Sequence, residues 1–80
     1  MVIKILGSGC RNCTMLADNA KAALAELGID AVVEKVTDFA QIAQYGIMGM
    51  PGLVIDEKVV SSGRVLSAGE IARLIKNEAR

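Results

Sequence analysis

The stretch YGIMGMPGLVI, residues 45–55, decides the fold. It holds the chain's only proline, Pro51, just before a short apolar run at residues 53–55. A proline has no amide hydrogen to give to a β-ladder, so it belongs at the first residue of a strand or in a turn. An X–Pro bond is also the one peptide bond whose cis form costs little. A plain loop-to-strand start, the commoner use of proline, fits equally. Met48 and Met50 flank Gly49, and their flexible thioethers suit either ordinary packing or a surface that accepts varied partners, with Met48 leaning to packing. Gly52 either lets a partner's backbone approach or relaxes the turn.

Upstream of this stretch, Thr37 or Asp38 can cap a helix with Phe39, Ile42 and Ala43 on its inner face and Gly46 as its stop. Phe39 and Tyr45 are expected to anchor that helix. Downstream, residues 53–55 and 58–60 read as two strands around Asp56 and Glu57, an imperfect hairpin turn because the favoured second residue is glycine. Ser67 and Glu70 have capping-box spacing, followed by Ile71, Leu74, Ile75 and Ala79 on one helical face.

At the other end, Val2 to Leu6 form a β-branched strand pattern. From Cys13 the apolar positions Leu16, Ala17, Ala20, Leu24 and Leu27 repeat at helical spacing until Gly28, and residues 29–36 read as a second strand. The order is β-α-β-α-β-β-α, an α/β chain with a mixed sheet of four strands and three helices. A β-α-β start implies a parallel pair, and the late hairpin adds antiparallel strands.

Eighty residues without a linker, low-complexity tract or repeat imply one domain over residues 1–80. The composition is 52% hydrophobic, enough for a core. Nine basic residues balance nine acidic ones, and a single Phe and a single Tyr make no stacking platform, so nucleic-acid binding is disfavoured. The opening MVIKIL shows no charged leader, and no apolar segment reaches bilayer-spanning length, so the expected location is the cytoplasm with no membrane partner.

In that compartment stable structural disulfides are rare, which bears on the two cysteines, Cys10 and Cys13, in GSGCRNC. Cys10 falls at or just before the first turn of the first helix and Cys13 one turn later, so their sulfurs can meet. Unpaired N–H groups and the positive helix end favour a thiolate, and Arg11 adds a cation. Cys13 begins the apolar stripe and should be the more buried. The chemistry then makes Cys10 the attacking thiol and Cys13 the resolving one. A dinucleotide-binding loop fits poorly, because Asn12 stands where its third glycine belongs. Structural zinc needs four ligands, and the chain has two cysteines and no histidine. A soft monovalent ion such as Cu(I) is the stronger rival, with Met15, Met48 and Met50 as helpers. Small copper chaperones share the CxxC placement but carry a methionine two residues before the first cysteine, where this chain has Ser8.

QYGIMGMPGLVI closely resembles the thioredoxin segment of the form Y-G-I-x-G-x-P followed by an apolar strand. With the upstream CxxC, the resemblance covers almost the whole chain, minus the extra N-terminal strand and helix of full-length thioredoxins. In length the chain is closer to glutaredoxins and to small thioredoxin-like redox-active disulfide proteins. The resemblance implies a minimal thioredoxin fold and thiol–disulfide exchange with protein substrates, as a cytoplasmic disulfide reductase or electron carrier. By that resemblance Pro51 is cis and packs against the cysteines, and the backbone of Met50 pairs with an extended substrate. No bound cofactor or metal is implied, since two cysteines carry both electrons. An upstream disulfide reductase, NADPH- or ferredoxin-linked, would supply them.

The departures matter as well. Thioredoxins carry W-C-G-P-C, whereas Gly9 precedes Cys10 here and Arg11-Asn12 forms the central pair that tunes thiolate stability. Lys4 occupies the place of the family's buried acid, six residues before the first cysteine, so water or another group must take the proton of Cys13. Lys4 is read more simply as a strand lysine whose stem lies on apolar surface. SSGR, residues 61–64, stands where glutaredoxins meet the glutathione carboxylate. Its flanking residues do not match, and a loop glycine after an edge strand is the preferred reading.

Overall fold

The computed structural model describes residues 1–7, 11–47 and 49–78. The elements run β1 (Val2–Leu6), α1 (Arg11–Leu27), β2 (Val32–Val36), α2 (Phe39–Gln44), β3 (Gly52–Ile55), β4 (Lys58–Ser62) and α3 (Ala68–Glu78). The strands form one sheet in the order β2-β1-β3-β4. β1 pairs parallel to β2 and antiparallel to β3, which is antiparallel to β4. This is the mixed four-stranded sheet with three helices that the patterns imply.

Alternation along β1 sorts the two faces of the sheet. Ile3 and Ile5, opposite Ile55 and Leu53, join Leu16, Ala20, Ile71 and Ile75 of α1 and α3 in the main core. Each large apolar side chain withdrawn from water there contributes roughly 1.5–3 kcal/mol. On the other face Leu6, Val36 and Val54 meet Ile42 of α2, with Tyr45 and Ile47 at the rim. Cys13 belongs to the first cluster and the loop leading to Pro51 to the second, so the cysteine helix and the proline loop approach β1 from opposite sides.

Local signals set most element ends. Asp38 caps α2 by accepting from the amide of Ala40 at 2.9 Å. The capping box of α3 is closed by the Glu70 amide donating to Ser67 Oγ at 3.2 Å and the Ser67 amide donating to Glu70 Oε1 at 3.5 Å. Asp56 and Glu57 both adopt left-handed dihedrals, φ 48 and 69, as a two-residue hairpin with right-handed strand twist requires. No glycine is present at either place; the carboxylate of Asp56 instead accepts the Val2 amide at 2.9 Å.

Three expectations are corrected. β2 starts at Val32, because Gly28 adopts φ 68 and the Ile29 amide turns back to the Leu24 carbonyl at 3.1 Å, spending residues 29–31 on the helix exit. Phe39 does not line the inner face of α2 but is 64% exposed, and Ala43 is exposed as well. A helix of six residues turns too little stripe inward to bury more than Ile42. Phe39 therefore does not anchor it; Tyr45, half-buried beside Ile42, does. Ala79 lies outside the described residues. Among the described residues, no helix is long and apolar enough to cross a membrane.

Candidate functional site

The first turn of α1 places Cys13 beside Gly7, at the end of β1. Cys13 occupies the first turn of α1, is 5% exposed, and is disulfide-bonded. Cys10, the chain's other cysteine, lies outside the described residues, as does Met48. Arg11 and Asn12 are exposed on the same turn, which carries no acidic residue. A positive helix end with no carboxylate in its own first turn favours an anion such as a thiolate.

Pro51 arrives from the opposite side. It is fully buried, and the Met50–Pro51 peptide is cis. Its carbonyl accepts the Gly63 amide at 2.9 Å, which ties the proline to the loop after β4. Gly7, at the end of β1, lies between Pro51 and Cys13. A side chain built on Gly7 would reach 4.0 Å from Pro51 Cα and overlap Cys13 Sγ. The sulfur, the bare backbone of Gly7 and the proline therefore converge in one place. Met50, just before the proline, is 43% exposed.

Met50 also borders an apolar groove of about 260 Å³ lined by Phe39, Ile42, Ala43, Ile47, Gly49 and Met50. The exposure of Phe39, unexplained by packing, belongs to this groove. Gly52 does not face it. A Cβ there would sit 2.9 Å from Ile47 Cδ1 and 3.3 Å from Leu6 Cδ1, so Gly52 packs closely within the sheet's second cluster.

Lys4 lies on the sheet face of Tyr45, away from the Cys13 cluster. Its ammonium donates to Glu57 Oε1 at 2.5 Å and to the Tyr45 hydroxyl at 3.1 Å, and that hydroxyl donates to Glu57 Oε2 at 3.0 Å. The hydrogen bond to Glu57, then that to Tyr45, raises the Lys4 pKa well above its ordinary value, and the same bonds lower that of Glu57. Lys4 is thus a fully charged anchor between β1, the end of α2 and the hairpin turn. Among the described residues no polar or charged side chain is buried, so none of them offers Cys13 a buried acid.

Arg64, in the 61–64 segment, is largely exposed and pairs with Glu70 at 3.7 Å. Among the described residues, no cluster of three or more histidine, cysteine or acidic side chains could hold a metal ion. Met15 is exposed and so is Met50.

A family profile described as Thioredoxin domain matches residues 1–76. The chain belongs to the thioredoxin-domain family. It is 45% identical over 75 residues to a protein named Thioredoxin from Methanothermobacter thermautotrophicus, covering 94% of this chain and 97% of that one. A Thioredoxin from Methanocaldococcus jannaschii is 40% identical over 77 residues, covering 96% of this chain and 88% of the relative. Among solved structures, one titled "Structure of a malarial protein" superposes with a TM-score of 0.68 at 16% identity, over 95% of this chain and 93% of that chain, a likeness of fold alone. Membership places the chain among thiol–disulfide redox proteins of the thioredoxin superfamily.

Three features of the thioredoxin-like site carry no clear signal in the sequence. Gly7 was visible only as part of GSGC, and the groove behind Phe39 had no local signal beyond an aromatic residue on a short helix. The tie from Gly63 to Pro51 joins residues twelve apart by a backbone bond that side-chain patterns do not report.

Proposed function

We propose that this chain is a single-domain cytoplasmic thiol–disulfide oxidoreductase that reduces disulfides of partner proteins through Cys10 and Cys13. The observation that carries the reading is the buried, disulfide-bonded Cys13 set against cis Pro51 across Gly7. In the reductive direction the Cys10 thiolate attacks one sulfur of the partner's disulfide, forming a mixed disulfide and releasing the partner's first thiolate. The Cys13 thiolate then attacks the Cys10 sulfur, closing the Cys10–Cys13 bond and releasing the second thiolate. Two electrons pass to the partner, and an upstream reductase, NADPH- or ferredoxin-linked, restores the dithiol. Water or another group takes the proton of Cys13. Arg11 and Asn12 tune the stability of the Cys10 thiolate, and no bound cofactor takes part.

Met50 presents backbone to an extended substrate beside Pro51, and the groove behind Phe39 and Met50 receives an apolar side chain of that substrate. Glutathione is at most a minor partner, because the residues flanking Gly63 do not match the glutaredoxin pattern.

The test is a redox titration of the metal-free protein in dithiothreitol and glutathione buffers, counting trapped thiols by mass. A reversible two-thiol transition between roughly −300 and −120 mV is expected, together with loss of insulin-disulfide reduction in Cys10→Ser. If no intramolecular disulfide forms across the series, the exchange reading fails. Stoichiometric Cu(I) binding by the two thiolates would then describe the site.

A further inference from the structure

Gly7 has no conformational need to be glycine. The described glycines with positive φ are Gly28, Gly46 and Gly63, and Gly7 is not among them. Its amide donates to the Val36 carbonyl at 2.9 Å, extending the β1–β2 pairing by one bond that any residue but proline could make. What excludes a side chain is space. A methyl group on Gly7 would overlap Cys13 Sγ and stand 3.3 Å from Cys13 Cβ, with Pro51 Cα closing the far side at 4.0 Å.

From this we infer that Gly7 is a positioning residue whose missing side chain is the slot for the Cys13 sulfur in its disulfide-bonded position, so that Gly7 sets the balance between the disulfide and dithiol forms. This inference rests on the exchange reading above. The two forms differ in how they meet an obstacle at Gly7. In the disulfide the Cys13 sulfur is held by a covalent bond and cannot move aside. In the dithiol Cys13 can turn to another of its staggered χ1 wells. A methyl group at position 7 therefore penalises the disulfide more than the dithiol. The balance is read in the exchange protein-disulfide plus reduced dithiothreitol to protein-dithiol plus oxidised dithiothreitol. One S–S bond breaks in the protein, one forms in the reagent, and two electrons and two protons pass to the protein.

The test is Gly7→Ala in the full chain. The exchange constant should shift about tenfold toward the dithiol, a potential less negative by about 30 mV. A constant within twofold of the parent, in a variant that is folded by circular dichroism, overturns the inference. A stability cycle covers the case in which the variant folds poorly. In the oxidised parent Gly7→Ala should lower the urea midpoint, and in a Cys13→Ala background, where the sulfur is gone and only the 3.3 Å contact with the residue-13 Cβ remains, it should lower it by less than half as much. An equal loss in both backgrounds would mean that the slot does not serve the sulfur and would also overturn the inference. The cycle does not depend on catalysis, so it separates a failure of this inference from a failure of the exchange reading, which shows as the absence of a two-thiol transition in the parent.

Discussion

Ile42→Ala removes the one buried side chain of α2. Ile42 fills the space between Leu6, Val36 and Val54, with Tyr45 and Ile47 at the edge. Truncating a buried isoleucine to alanine costs about 2–5 kcal/mol, depending on how far the surroundings collapse into the cavity. Here one wall of the site opens on the groove of about 260 Å³ beside Phe39, so neighbours can relax into the space. The lower half of the range applies, about 2–3 kcal/mol. For a domain of this size each kcal/mol moves Tm by about 4–8 °C, so Tm should fall by roughly 10–20 °C.

The loss should also be local. Six residues are far too few to stay helical in water on their own, so α2 depends on Ile42 for its existence. Its three connecting bonds run from the Ile42 amide to Asp38 O, from Tyr45 to Ile42 O and from Gly46 to Ala43 O. These should open well before the sheet does. Urea unfolding gives the global cost, and native-state hydrogen exchange gives the local one. The amides of Ile42, Tyr45 and Gly46 should lose protection by a larger factor than those of β1 and β3. A cost below about 1 kcal/mol, or unchanged protection at those three amides, would refute the view that Ile42 holds α2 in place.

Three further outcomes are expected. Ser67→Ala breaks the capping box of α3 and should cost about 1 kcal/mol in urea unfolding, with Ser67→Asp recovering most of it; equal losses in both variants would show that the hydroxyl bond to the Glu70 amide is not what matters. Gly52→Ala forces a methyl group against Ile47 Cδ1, an overpacking cost of about 1–3 kcal/mol set against about 0.4–1 kcal/mol gained from a stiffer unfolded chain. The net loss should shrink when Ile47→Val is added, and a loss unaffected by that second change would point elsewhere. The Lys4–Tyr45–Glu57 cluster gives stability a defined pH window. Because folding lowers the Glu57 pKa from 4.5, its contribution is present above that value and lost as pH falls through the folded pKa. Because folding raises the Lys4 pKa from 10.5, its contribution is whole below that value and lost as pH rises beyond it. The Tm gap between the parent and Glu57→Gln should therefore be constant from pH 6 to 9 and close toward pH 3; a gap that persists at pH 3 would contradict the ion pair.

The sequence by itself determined what depends on near neighbours. Apolar spacing of 3.6 or 2, the caps at Asp38 and Ser67–Glu70, and the exit glycine Gly28 act within a turn or two, so the element order and the mixed sheet could be read directly. Cys13 and Pro51 stood out by residue type, and the family resemblance joined them with Met50 and Cys10. The tertiary structure decided what depends on which surfaces meet. Residues 29–31 left the strand pattern because the helix exit needs their backbone. Phe39 turned outward because α2 buries only one position against a small cluster. Lys4, a strand lysine by pattern, found Glu57 fifty-three residues away, on the face opposite Cys13. The space at Gly7 became confined only when α1 and the proline loop closed on the end of β1 from either side. Spacing along a chain records which face a residue occupies, but the atoms that fill the volume above that face come from distant segments, and only the packed fold brings them there.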